Sequence, residues 1–187
     1  MKLRCIIFIT IFFFTLVKNI NSKDLIILAK VNDSIITNYD LFLEIKLLEI
    51  LENKDFSKEN KLSLVQELID LKIKEIEAKK NNIEANPTRI KNRVNTIVAK
   101  HNINNENLKK ILKKKINIIE NWNKLIVIKF KNKLEINMTE IREVVKNNNL
   151  SDDKVSKLIN LERSKKINIL SKNYFNQIKN NYFVKVQ

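Results

Sequence analysis

Three observations predict a mainly α fold, a multi-helix core with a small N-terminal β-hairpin joined by a C-terminal strand. Two short β-branched runs flank Asn32-Asp33 in the stretch IILAKVNDSIITNYDLFL, residues 26–43. Most of the chain after it repeats apolar residues at the three- and four-residue spacing of a helix face. The chain ends in a strand-like run, Tyr182-Phe183-Val184-Lys185-Val186. A lone strand needs a partner, and the hairpin offers the only one, so the two ends are expected to meet.

The elements follow in order. Residues 1–22 carry Lys2 and Arg4, then an apolar run from Ile6 to Val17, then a polar stretch ending at Ser22. This three-part order predicts a cleavable signal peptide, with export of the chain and cleavage after Ser22. The alternative is an uncleaved anchor. About a dozen residues reach only about 18 Å, short of a hydrocarbon core of about 30 Å, so no stable membrane span is expected after cleavage. Residues 23–187 are expected to form a single core, with 23–150 its N-terminal part and 151–187 a C-terminal helix and strand that complete it. Cys5 lies inside the signal, so no disulfide or thiolate chemistry is expected in the exported chain.

Ile26–Val31 and Ser34–Thr37 read as the hairpin, leading through Thr37 and Asn38 into a helix at Tyr39–Leu51 with Leu41, Ile45, Leu48 and Leu51 on one face. Ser57 is the expected cap of a helix at Lys58–Lys80. That helix carries two apolar stripes, Leu62, Val65, Ile69, Ile73 and Ile76 on one and Leu64, Leu68 and Leu71 on the other, which places it centrally. Asn86-Pro87 starts the next helix, lined by Ile90, Val94, Ile97 and Val98 and ending near His101. A short helix at Glu106–Lys114 and a separate one at Asn117–Lys133 are expected, the second carrying Ile119, Trp122, Ile126 and Phe130. Thr139–Asn147 reads as a short amphipathic helix. Ser151 is the expected cap of the last helix, Asp152–Lys179, with Leu158, Ile167, Leu170, Tyr174 and Ile178 inward.

Composition excludes several chemistries. The chain has no glycine, so a P-loop, a dinucleotide fingerprint and a nucleophile elbow are all ruled out. Turns must rest on Asn and Asp, the residues that best tolerate a left-handed backbone after Gly. The pairs Asn81-Asn82, Asn104-Asn105 and Asn180-Asn181 and the run Asn147 to Asn149 sit between periodic segments, where such turns are needed. The formal charge is +15, or +12 once Lys2, Arg4 and Lys18 are removed. Such a balance fits a nucleic-acid or anionic membrane partner, or plain codon drift, since Lys, Asn and Ile make up nearly half of the chain. Scarce Arg and the lysines' spread over helical faces argue against nucleic acid. His101 is the sole histidine and reads as a helix-end residue, and no His/Cys cluster suits a metal. Glu75 and Glu77 alternate with lysines and read as solvated faces. Core packing is the default for Trp122 and Phe130, with a binding platform as the alternative. No enzymatic activity and no cofactor are expected.

The order of signal, VNDSIITNYDL hairpin-to-helix, LVQELIDLKIKEIEAKK helix, NP-started helix and Trp-bearing helix resembles the N-terminal domain of the periplasmic chaperone SurA. The tail LERSKKINILSKNYFNQIKNNYFVKV is similar to that family's C-terminal helix and closing strand. Relatives carry parvulin-type prolyl isomerase domains between these halves. Here only Asn148 to Ser151 separates them, and no glycine is available for such a domain. The resemblance therefore implies the chaperone core without the isomerase. It implies an ATP-independent holdase for unfolded polypeptides, outer-membrane β-barrel precursors among them. An apolar groove rimmed by Lys and Asn is expected to hold the client, with Tyr39, Phe42, Leu43, Trp122 and Phe130 as candidate contacts. Another reading is an exported structural or adaptor module that binds one folded partner or the anionic membrane surface.

Overall fold

The computed structural model describes residues 24–56, 61–148 and 151–187. The expected signal peptide and the expected cap Ser57 lie outside them. Strands β1 (Ile27–Val31) and β2 (Ser34–Thr37) form the hairpin. Six α-helices follow among the described residues: α1 (Asn38–Glu52), α2 (Lys61–Lys80), α3 (Pro87–Lys100), α4 (Glu106–Lys129), α5 (Met138–Asn148) and α6 (Asp152–Ile178). A 3₁₀ turn at Lys131–Leu134 follows α4, and another at Lys179–Asn181 leads into β3 (Val184–Val186).

The sheet is antiparallel with strand order β2-β1-β3. The first and last described segments therefore pair as expected. Val31 lies opposite Val184 and Ala29 opposite Val186. The hairpin turn helps to hold β3: Asn32 donates its backbone N–H to the Phe183 carbonyl at 2.9 Å and accepts the Phe183 N–H on Oδ1 at 3.0 Å.

Asparagine does the work of the missing glycine. The described residues with positive φ are Asn32, Asn53, Asn82 and Asn102, all near +50°. Asn53 ends α1 in that conformation. Two further asparagines start helices. Asn86 Oδ1 accepts from the Thr88 and Arg89 amides, and Asn105 Oδ1 from those of Asn107 and Leu108. Thr37 and Asp40 close a reciprocal capping box on α1.

Two clusters make up the core, and α4 runs through both. The first joins Ala29, Val31 and Ile36 of the sheet to Ile69 and Ile73 of α2, Trp122 and Ile126 of α4, and Tyr174, Phe175 and Ile178 of α6. The second joins Leu43 and Leu47 of α1 to Ile90 of α3, Ile103, and Leu108, Leu112 and Ile116 of α4. The expected break near Lys114 is absent, and the two helices anticipated there are one. The stretch Lys113–Asn117 holds no Gly or Pro, and Leu112, Ile116 and Ile118 are buried across it. At 1.5 Å per residue the helix is about 36 Å long, enough to span both clusters.

Helix α2 is central, packing on the sheet, α1 and α4. Leu62 departs from its expected stripe and is 79% exposed in the first turn of α2. Ser151 holds the extended N-cap backbone of α6, but its hydroxyl makes no capping hydrogen bond.

Candidate functional site

The five residues expected to contact a client lie in three places. Trp122 is 3% exposed, donates Nε1–H to Ser171 Oγ at 2.7 Å and stacks on Tyr174 with ring centroids 5.6 Å apart. Phe130 is half-buried and meets Tyr174 edge-on at 5.8 Å. Both belong to the first core, the outcome read as the default for them. Leu43 is buried in the second core. Tyr39 and Phe42 remain on the surface, 48% and 52% exposed, with ring centroids 6.5 Å apart. The structure thus brings together Tyr39 with Phe42, and Trp122 with Phe130 through Tyr174, but builds no single groove from the five.

A groove does open between α3 and α4, closed at one end by the last turn of α2 and the loop that follows. Its volume is about 1000 Å³. Ile83, Ala85, Ile90 and Val94, buried or half-buried, supply an apolar floor, with Pro87 exposed at its edge. The rim is Lys79, Lys91, Lys110, Lys113 and Lys114 with asparagines 82, 95, 117 and 121, and Glu84 is its one carboxylate. The loop is tied to α4: Asn121 Oδ1 accepts the Ala85 N–H at 2.7 Å, and Lys124 Nζ donates to the Glu84 carbonyl at 2.5 Å. Arg89 and Arg93 point away to a different task. They clamp the buried Glu120 of α4 at 3.1 and 2.6 Å, which fixes the spacing of the groove walls. The apolar residues on α3 were legible in the sequence. Their pairing with Lys110, Lys113 and Lys114 was not, because it depends on how α3 crosses α4.

The carboxylates correct the sequence reading. Glu77 does not face solvent; it is 7% exposed. It accepts the Tyr174 hydroxyl at 2.6 Å, the Asn81 amide at 3.1 Å and the Tyr182 hydroxyl. Burial opposes its charge, but these three donors together outweigh burial and hold the carboxyl below its usual range. The same burial and the same carboxylate push both tyrosines up. Glu75 is half-buried between Lys72 at 2.8 Å and Lys79 at 2.7 Å. Burial again opposes ionisation, and the two ammonium groups overcome it and bring the carboxyl down to about 2. Glu44 is buried against Lys115. A smaller pocket of about 70 Å³ lies beside these last pairs, between β2, α1, α2 and α4.

His101 stands at the C-cap of α3, the helix-end position expected, with Nδ1 3.3 Å from the Ile50 carbonyl. Among the described residues no group of three His, Cys, Asp or Glu is placed to hold a metal ion. No helix among them is long and apolar enough to cross a membrane. No protein-family model matches the chain, and no curated protein matches it.

Proposed function

We propose that this chain is an exported, ATP-independent holdase that binds unfolded polypeptides. The observation that carries the reading is the open groove between α3 and α4, apolar at its floor and lined with Lys and Asn at its rim. A buried client surface of about 400 Å² gives about 10 kcal/mol at ~25 cal/mol/Å², offset by association and ordering costs of similar size. The net affinity is then weak and tolerant of client sequence. Such binding shields a chain from aggregation and releases it without ATP. The resemblance of the hairpin, the helix order and the closing strand to the SurA N-terminal domain supports the same reading and adds its finer part. That part comprises a periplasmic location, outer-membrane β-barrel precursors as clients and no isomerase activity.

The test is to dilute a urea-unfolded β-barrel protein into buffer with the purified chain and follow light scattering. Suppressed scattering at a few-fold excess is the expected result. Unchanged scattering at every ratio replaces the reading with the adaptor alternative, in which one folded partner is bound.

A further inference from the structure

We infer that the groove selects extended segments in which carboxylates alternate with apolar residues. This rests on the client-binding reading and specifies which clients the site prefers. Four of the five rim lysines, Lys91, Lys110, Lys113 and Lys114, form no ion pair among the described residues, and all four are exposed. The fifth, Lys79, is shared with Glu75. The site therefore holds an excess of positive charge, five lysines against Glu84, beside apolar side chains. Lys110 and Lys114 are one helical turn apart, a rise of about 6 Å along α4. Alternate residues of an extended chain stand about 6.6 Å apart on one side. Successive same-side carboxylates of such a segment meet successive lysines on the wall, while the intervening apolar side chains turn to Ile83, Ile90 and Val94.

Other anionic partners fit the groove less well. Its lining has no aromatic ring on which a base can stack and no arginine for a bidentate phosphate contact.

The experiment measures fluorescence anisotropy of a labelled short peptide alternating Glu with Leu or Val, against the same peptide with Gln for Glu. The chain is compared with K110Q/K113Q/K114Q and with K100Q/K154Q/K172Q, which removes the same charge from exposed positions outside the groove. The acidic peptide is expected to bind about tenfold tighter than the Gln peptide at low salt, from three rim pairs of modest strength each. The groove variant loses that preference, the control variant keeps it, and about 0.5 M salt abolishes it. Equal binding of the two peptides, or equal losses in the two variants, overturns the inference. So does displacement of the peptide by anionic vesicles or a single-stranded oligonucleotide at matched charge. Light scattering with the unfolded client, run on the same samples, separates the two levels. Suppression without acidic preference overturns the inference alone. Acidic preference without suppression upholds the inference and overturns the holdase reading.

Discussion

Replacing Tyr182 by Phe removes one hydroxyl and leaves the ring in place. That hydroxyl is one of three donors on Glu77, a carboxylate at 7% exposure. Hydrogen bonds to a charged group are worth about 1.5–3 kcal/mol, and water cannot easily replace this one. Y182F is therefore expected to cost about 2 kcal/mol at pH 7. The variant with both Tyr174→Phe and Tyr182→Phe leaves a buried charge with Asn81 as its remaining side-chain hydrogen-bond donor among the described residues. It is expected to lose about 3–5 kcal/mol. Urea unfolding followed by Trp122 fluorescence reports on the site, because the indole stacks on Tyr174.

The pH dependence follows from the directions of the shifts. The folded-state carboxyl of Glu77 titrates below its unfolded value of about 4.3. Its contribution is present above that value and is lost as pH falls through the depressed folded one. The tyrosines are raised in the folded state, so their contribution is present below about pH 10 and is lost as pH rises through their folded values. The gap between parent and Y182F should be widest near neutrality and shrink toward both extremes. A gap under about 0.5 kcal/mol at pH 7, the size of a surface contact, refutes the argument, as does a gap that does not vary with pH.

Glu75→Gln should remove stability present above about pH 4.3 and lost toward pH 2, about 2 kcal/mol after discounting for the exposed Lys79; acid unfolding curves of the two proteins measure it. Lys115→Met strands the buried Glu44 and should cost about 3–5 kcal/mol in urea unfolding, while adding Glu44→Leu recovers most of that loss. At Asn82, with φ +53°, Gly should be neutral or stabilising, and Ala should cost about 1 kcal/mol, read as a shift in melting temperature.

Much of the fold was legible because its signals are local. Asn86-Pro87 marks a helix start by a cap and a fixed φ, both properties of adjacent residues. A chain without glycine has to turn on asparagine, and among the described residues it does at four positions. Not every Asn pair is a left-handed turn, however. Asn105 caps α4 from an extended conformation, because the same short amide serves either role and the flanking helix decides. The candidate site was far less legible. Phe42 and Leu43 are neighbours in sequence, yet one step around a helix turns about 100°, which puts Phe42 in solvent and Leu43 in the core. A groove of Lys and apolar residues was expected around the aromatics, whereas the groove between α3 and α4 is lined by Ile83, Ile90, Val94 and lysines. Trp122 went to the core because α6 supplies Tyr174 and Phe175 to pack on its indole, while no such partner draws in Phe42 among the described residues.

What the sequence determined by itself is most of the elements, their order and the pairing of the last strand with the first hairpin. Periodicity, caps and a lone terminal strand act over a few residues or leave one partner. What only the tertiary structure decided is where the charges went and which helices are continuous. Glu77 meets tyrosines 97 and 105 residues away. Helix α4 runs unbroken because two cores hold it from opposite ends. A carboxylate's environment and a helix's length beyond its propensity are set by what packs against them, and that is a property of the assembled chain.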